Sequence, residues 1–198
     1  MVIGLGLVTL SLINLYIQSN RVVTVVYPVP ITETQVDTSL LANGEIETKT
    51  TLVQTTPVEK PKMGDILGVI EIPALKRELQ LLEGTEEAQL SLGVGHVTTS
   101  VLPGYNDNSV IAGHRGTTFR KLDKLILGDF IIITTNQGSF TYEVNEIRIV
   151  EADDETVIVS TPQALLTLVT CYPFDWIGAA PKRYIVTAKL TQSIFNGE

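Results

Sequence analysis

Hydrophobic and polar positions change their pattern at two places along the chain. Residues 1–17, MVIGLGLVTLSLINLYI, carry no charged side chain. A bilayer is normally spanned by about 20 apolar residues, so this run is slightly short, with Asn14 near its end. No small-residue cleavage site follows it, which predicts a retained membrane anchor over residues 1–18 rather than a removed signal peptide. No polar helical face interrupts it, as one would in a half-buried helix of a soluble core. An anchor with its N-terminus inside carries Lys or Arg ahead of the span, yet the first cation is Arg21. A start further upstream, or the α-amino group, would supply that charge. Residues 19–63 then lose any sustained period. Thr, Val, Pro and Glu dominate, and Tyr27-Pro28-Val29-Pro30, Thr56-Pro57 and Lys60-Pro61 favour extended chain, so a stalk is expected.

From residue 64 to 192 the pattern becomes short apolar runs cut by turn residues, followed by a tail at 193–198. Strands are predicted at 67–73, 78–84, 109–113, 130–135, 139–150, 156–159, 167–171 and 183–190. Asn136-Gln137-Gly138 marks a hairpin turn, after which Phe140, Tyr142 and Val144 share one face. Helix is scarce. Residues 85–90 suit a short one with Thr85 as N-cap, 117–125 a turn or two, and 161–163 a brief opening. Many short strands with little helix predict a mainly β domain, a closed barrel that leaves no exposed edge. A parallel α/β sheet is disfavoured, because no long helices alternate with the strands.

Composition narrows the chemistry. The net charge is -8 with no basic block, so nucleic acid is not an expected partner. A lone cysteine excludes an internal disulfide. Two histidines and no CxxC or HExxH spacing leave no protein-built zinc site in view.

That cysteine ends the run Thr167-Leu168-Val169-Thr170-Cys171, and Tyr172-Pro173 follows at once. Proline cannot continue a central strand, so Cys171 is placed at the last residue of its strand, facing solvent or a cleft. Free cysteine is also among the most buried residue types, and a core thiol is an equal reading of these residues alone. Two other polar groups stand at strand ends: His114 after Val110-Ile111-Ala112-Gly113, and Arg183 ahead of Tyr184-Ile185-Val186. An imidazole favours the thiolate and later returns a proton; a guanidinium suits a developing oxyanion. Spacing alone does not bring the three together.

Thr167-Leu168-Val169-Thr170-Cys171, Ala112-Gly113-His114-Arg115 and Arg183-Tyr184-Ile185-Val186 together resemble the sortase family of cysteine transpeptidases, over roughly residues 65–190. Tyr172-Pro173-Phe174 and Ala180-Pro181-Lys182-Arg183 most resemble class D. The resemblance implies an eight-stranded sortase-type β-barrel on the outer face of a Gram-positive cell, held by a single membrane span, with His114, Cys171 and Arg183 as the catalytic set and no cofactor. It implies cleavage of an LPXTG- or LPXTA-like sorting signal of a surface protein after Thr. The acyl group then passes to an amine of a peptidoglycan precursor. By position in the motifs, Ala112, Val169 and Ile185 would line the pocket for the signal's Leu-Pro, and Thr170 would neighbour the oxyanion site. Barrel core is the alternative for these four.

Trp176, in the loop between Cys171 and Arg183, is expected to face the substrate groove, with an interaction on the sheet's outer surface as the alternative. The acids Glu151, Asp153, Asp154 and Glu155 lie where this family varies its substrate recognition. Such a cluster offers oxygen ligands for calcium, as in some sortases, but a solvated loop is the favoured reading because calcium-loop spacing is lacking. His96 is left a structural or rim role. The contrasting reading of the domain is a non-catalytic surface module with Cys171 buried.

Overall fold

The computed structural model describes residues 60–176 and 178–196. The predicted anchor, and the stalk up to residue 59, lie outside the described residues. The strands are β1 (Ile66–Ile72), β2 (Arg77–Glu83), β3 (Val94–His96), β4 (Asn108–Ala112), β5 (Phe130–Thr135), β6 (Gly138–Glu151), β7 (Leu165–Tyr172) and β8 (Lys182–Phe195). They close into a barrel in the order β1-β2-β3-β4-β7-β8-β6-β5, with β1 pairing β5 to complete the ring. Most neighbours are antiparallel, but β2–β3 and β4–β7 run parallel. The second of these parallel pairs organises the site.

Period-two alternation sends one side of each strand inward. Phe140, Tyr142 and Val144 of β6 are buried in the core with Ile111, Leu166, Leu168, Val186 and Ala188, as the hairpin reading requires. Asn136 and Gln137 connect Thr135 to its partner Gly138. The opposite side of β4, β7 and β8 faces outward. Ala112, Val169 and Ile185 form one register row across these three strands.

Several elements depart from the sequence expectation. The predicted strand at 156–159 is instead a 3-10 turn, Glu155–Val157, and the strand not foreseen is β3. β3 is short and glycine-rich because backbones crowd it. A Cβ on Gly93 would collide with the Gln80 carbonyl, and one on Gly95 with the Gly84 carbonyl. The short helix α1 spans Glu87–Leu90 with Glu86 at its N-cap, so Thr85 does not cap it. Residues 161–163 form a bend rather than a helix, with the Thr161 hydroxyl donating to the Gln163 carbonyl. β8 runs to Phe195, whose ring lies 5.2 Å from that of Phe140, so 193–195 belong to the barrel and not to a tail.

Candidate active site

The parallel pairing of β4 with β7 sets the site. Ala112 lies opposite Val169, and the Gly113 N–H continues the ladder by donating to the Val169 carbonyl at 3.1 Å. The Thr170 hydroxyl donates to the Gly113 carbonyl at 2.7 Å. These bonds carry His114, the next residue, to the level of Cys171. On the other side of β7, Cys171 lies directly opposite Arg183 of β8. His114, Cys171 and Arg183 therefore come from three adjacent strand ends, and neighbouring strands lie about 4.8 Å apart.

Local structure holds the histidine in place. Its backbone N–H donates to the Thr118 hydroxyl at 2.9 Å, and its carbonyl accepts from the Phe119 N–H. Gly113 is required by close approach, since a Cβ there would stand 2.6 Å from Cδ2 of the buried Phe119 ring. The imidazole is about one-third exposed, with Nε2 3.4 Å from a carboxylate oxygen of Glu87 on α1. The Cys171 thiol is partly exposed, not a core thiol. The Arg183 guanidinium donates through Nη1 to the carbonyls of Ala180 and Lys182.

β7 extends one residue past Cys171. Tyr172 still pairs with Lys182, because Pro173 removes only its own N–H from the ladder. The Tyr172 ring turns inward and meets Phe174 and Tyr184 at centroid separations of 6.1 Å each, while Phe174 and Tyr184 stand 5.2 Å apart. This aromatic cluster lies beneath the Cys171–Arg183 row. Burial pushes the Tyr184 phenol above its usual pKa, and the nearby Asp123 and Tyr172 add to the rise. The neutral phenol thus suits this apolar end of the barrel.

The other named positions divide. Ala112 and Val169 are half-buried on the outer face beside Cys171, and Ile185 completes their row but is fully covered. Thr170 points inward, 3% exposed, and spends its hydroxyl on Gly113, so its side chain fixes the His114 strand rather than lining the groove. Trp176 is half exposed, its indole N–H donating to the Ala179 carbonyl. His96 is buried, bonded to Glu83, Val101 and Ser100.

Sequence reasoning passed over the residues that fasten the chain around the groove. Asp107 accepts from the Thr161 N–H and the Ser160 hydroxyl, and the Asn108 amide donates to the Val157 and Val159 carbonyls. The β6–β7 connection is thereby held across the outer face, where Thr167 and Ile185 are buried. Within that connection Asp154 accepts from the Thr156 N–H and hydroxyl, which hold its carboxyl below the usual range, with Arg148 adding to the effect. Glu151 pairs with Lys182 at 3.0 Å. Asp154 there serves as a turn cap and Glu151 as an ion-pair partner. An Asp-Asn dipeptide just ahead of an apolar strand was the available signal for Asp107 and Asn108.

Comparison with known proteins agrees with this geometry. Residues 70–191 match the family model described as a sortase domain. Sortase D of Bacillus subtilis (strain 168) is 42% identical over 131 residues, 66% of each chain, so the chain spans just under two thirds of that relative. Sortase A of Bacillus anthracis is 26% identical over 72% of each. Among solved structures, the Clostridium perfringens Sortase D5 transpeptidase superposes with a TM-score of 0.62 at 36% identity, covering 68% of this chain and 84% of that one. The three strand-end residues, the closed barrel and these matches lead to one conclusion: the chain belongs to the sortase family of cysteine transpeptidases, and its similarity extends to class D members.

Proposed function

We propose that this chain is a membrane-anchored transpeptidase that cleaves an LPXTG- or LPXTA-like sorting signal after its Thr and joins the new carboxyl end to a cell-wall amine. The observation that carries the reading is the direct pairing of Cys171 with Arg183, with His114 at the same level on the parallel strand. The Cys171 thiolate attacks the Thr carbonyl carbon. A C–S bond forms, and the C–N bond to the following residue breaks as the imidazolium of His114 gives its proton to the departing amine. An acceptor amine then attacks the thioester, forming the new C–N bond, breaking C–S, and returning its proton to His114. Arg183 faces the carbonyl oxygen as charge gathers there. Ala112 and Val169 offer an apolar floor for Leu-Pro, and Ile185 continues their row beneath the chain that covers it. The uncharged run at residues 1–17 and the Pro- and Thr-rich stretch after it support attachment to the membrane with the barrel outside.

Incubation with LPXTG- and LPXTA-type peptides plus a competing amine, read by mass spectrometry, tests this. The expected products are a thioacyl adduct on Cys171 and an amide of the peptide's N-terminal portion with the added amine. Both vanish in Cys171→Ala. Hydrolysis that ignores added amine would make the protein a simple protease. No adduct with either peptide, and thiol labelling only after denaturation, would leave a peptide-binding module.

A further inference from the structure

Arg115 is the part of the Ala112-Gly113-His114-Arg115 motif that the proposed chemistry leaves unused. Its guanidinium reaches far along the chain and donates to three backbone carbonyls: Pro173 at 3.2 Å through Nη1, and Trp176 at 2.8 Å and Gly178 at 2.9 Å through Nη2. All three acceptors lie between β7 and β8. That stretch joins Cys171 to Arg183, whereas Arg115 directly follows His114. One side chain thus fastens the histidine's segment to the segment that connects the other two reactive residues. A planar fork can serve several carbonyls at once, which the compact ammonium of lysine cannot do. Within the stretch between β7 and β8, the backbone turn bond from the Trp176 N–H to the Pro173 carbonyl is long at 3.4 Å.

Trp176 sits at the centre of this arrangement. Its carbonyl is held by Arg115 and its indole N–H by Ala179, while half of the residue stays exposed. An apolar ring fixed at both its backbone and its edge, in the connection that joins Cys171 to Arg183, is a ready contact surface for a peptide. We propose that Arg115 is a positioning residue for substrate: it fixes Trp176 as a wall of the groove beside Cys171, so that binding does not have to order it. This rests on the transpeptidase reading. Arg115 acts through Trp176 and touches no reacting atom, so the KM for the sorting peptide carries its effect and kcat does not.

Trp176 is the chain's sole tryptophan, so intrinsic fluorescence reports this position alone. The test compares wild type, Arg115→Lys and Arg115→Gln, using fluorescence anisotropy, acrylamide quenching, Cys171 labelling by a thiol probe, and steady-state kinetics with LPXTG- and LPXTA-type peptides. Anisotropy is expected to fall and quenching to rise from wild type through Lys to Gln. The KM should rise about tenfold in Arg115→Gln, as for the loss of charge-assisted hydrogen bonds, with kcat and thiol labelling within about twofold of wild type. Trp176→Ala should raise KM similarly, and adding Arg115→Gln to it should change little further. Wild-type fluorescence in both Arg115 variants overturns the proposal, as does a kcat loss at constant KM. If wild type itself turns over no peptide, the transpeptidase reading fails separately, and the fluorescence alone decides whether Arg115 fixes Trp176.

Discussion

Both histidines of this chain face a glutamate, and the two pairs do opposite work. His96 Nδ1 meets Glu83 at 2.7 Å with both side chains 2% exposed. Its Nε2 faces the Val101 carbonyl at 2.9 Å and the Ser100 hydroxyl at 3.0 Å. That hydroxyl donates to the Val97 carbonyl and accepts from the Val110 N–H, so Nε2 carries the proton in its own bonds. Both ring nitrogens are therefore spent on the protein. His114 meets Glu87 at 3.4 Å, with the histidine side chain 36% and the glutamate 68% exposed. That contact is open to solvent. Burial, not residue type, separates a structural tie from a chemical group. The buried pair fastens β2 to β3 and to the loop that returns to β4, while the open pair stands beside the only thiol.

The largest expected effect falls on the open side. His114→Ala should lower turnover of a sorting peptide by about 10²–10⁴-fold, the usual worth of a positioned acid–base group. Its melting temperature should stay close to wild type, because the ring is exposed and its backbone bonds remain. His96→Ala should do the reverse. Removing one member of a buried pair leaves the other unpaired, at a cost of about 3–5 kcal/mol. Urea denaturation would show that loss, while thiol labelling of Cys171 in the folded fraction would stay near wild type. A His96→Ala protein with wild-type stability and no turnover would invert the two assignments.

How far the sequence anticipates this contrast can be argued from the same residues. The strand-end positions of His114, Cys171 and Arg183 were legible because each borders an apolar run, while their meeting at one rim was implied only by the motif resemblance. Strand faces were legible wherever period two was clean, as in Phe140, Tyr142 and Val144. The strand carrying His96 was not, because the glycines that let its backbone approach β2 also erase the strand signal. Residues 156–159 misled for the converse reason. Val157 and Ile158 have strand propensity, but the carbonyls of Val157 and Val159 bond to the Asn108 side chain. The partners of Thr170 and Arg115 were not legible, since a hydroxyl on a distant carbonyl and a guanidinium on a distant loop leave no local pattern.

The finest test of the contrast changes each glutamate to its amide. In Glu83→Gln the new NH₂ can donate to Nδ1 of a neutral His96 ring whose Nε2–H still faces Val101, so every polar group keeps a partner. The loss is then the difference between a charge-assisted and a neutral hydrogen bond, about 1–2 kcal/mol, and should appear as a lower urea midpoint with an unchanged slope. Glu87→Gln removes only a solvent-screened contact, so stability should move by no more than about 0.5 kcal/mol. Its effect belongs to the chemistry instead. Glu87 biases the ring's orientation, so kcat/KM should fall by about threefold, less in high salt, where the contact is already screened. A Glu87→Gln protein that lost as much stability as Glu83→Gln would show that the open pair is also a structural tie. The distinction drawn from burial would then fail at the point where it matters to catalysis.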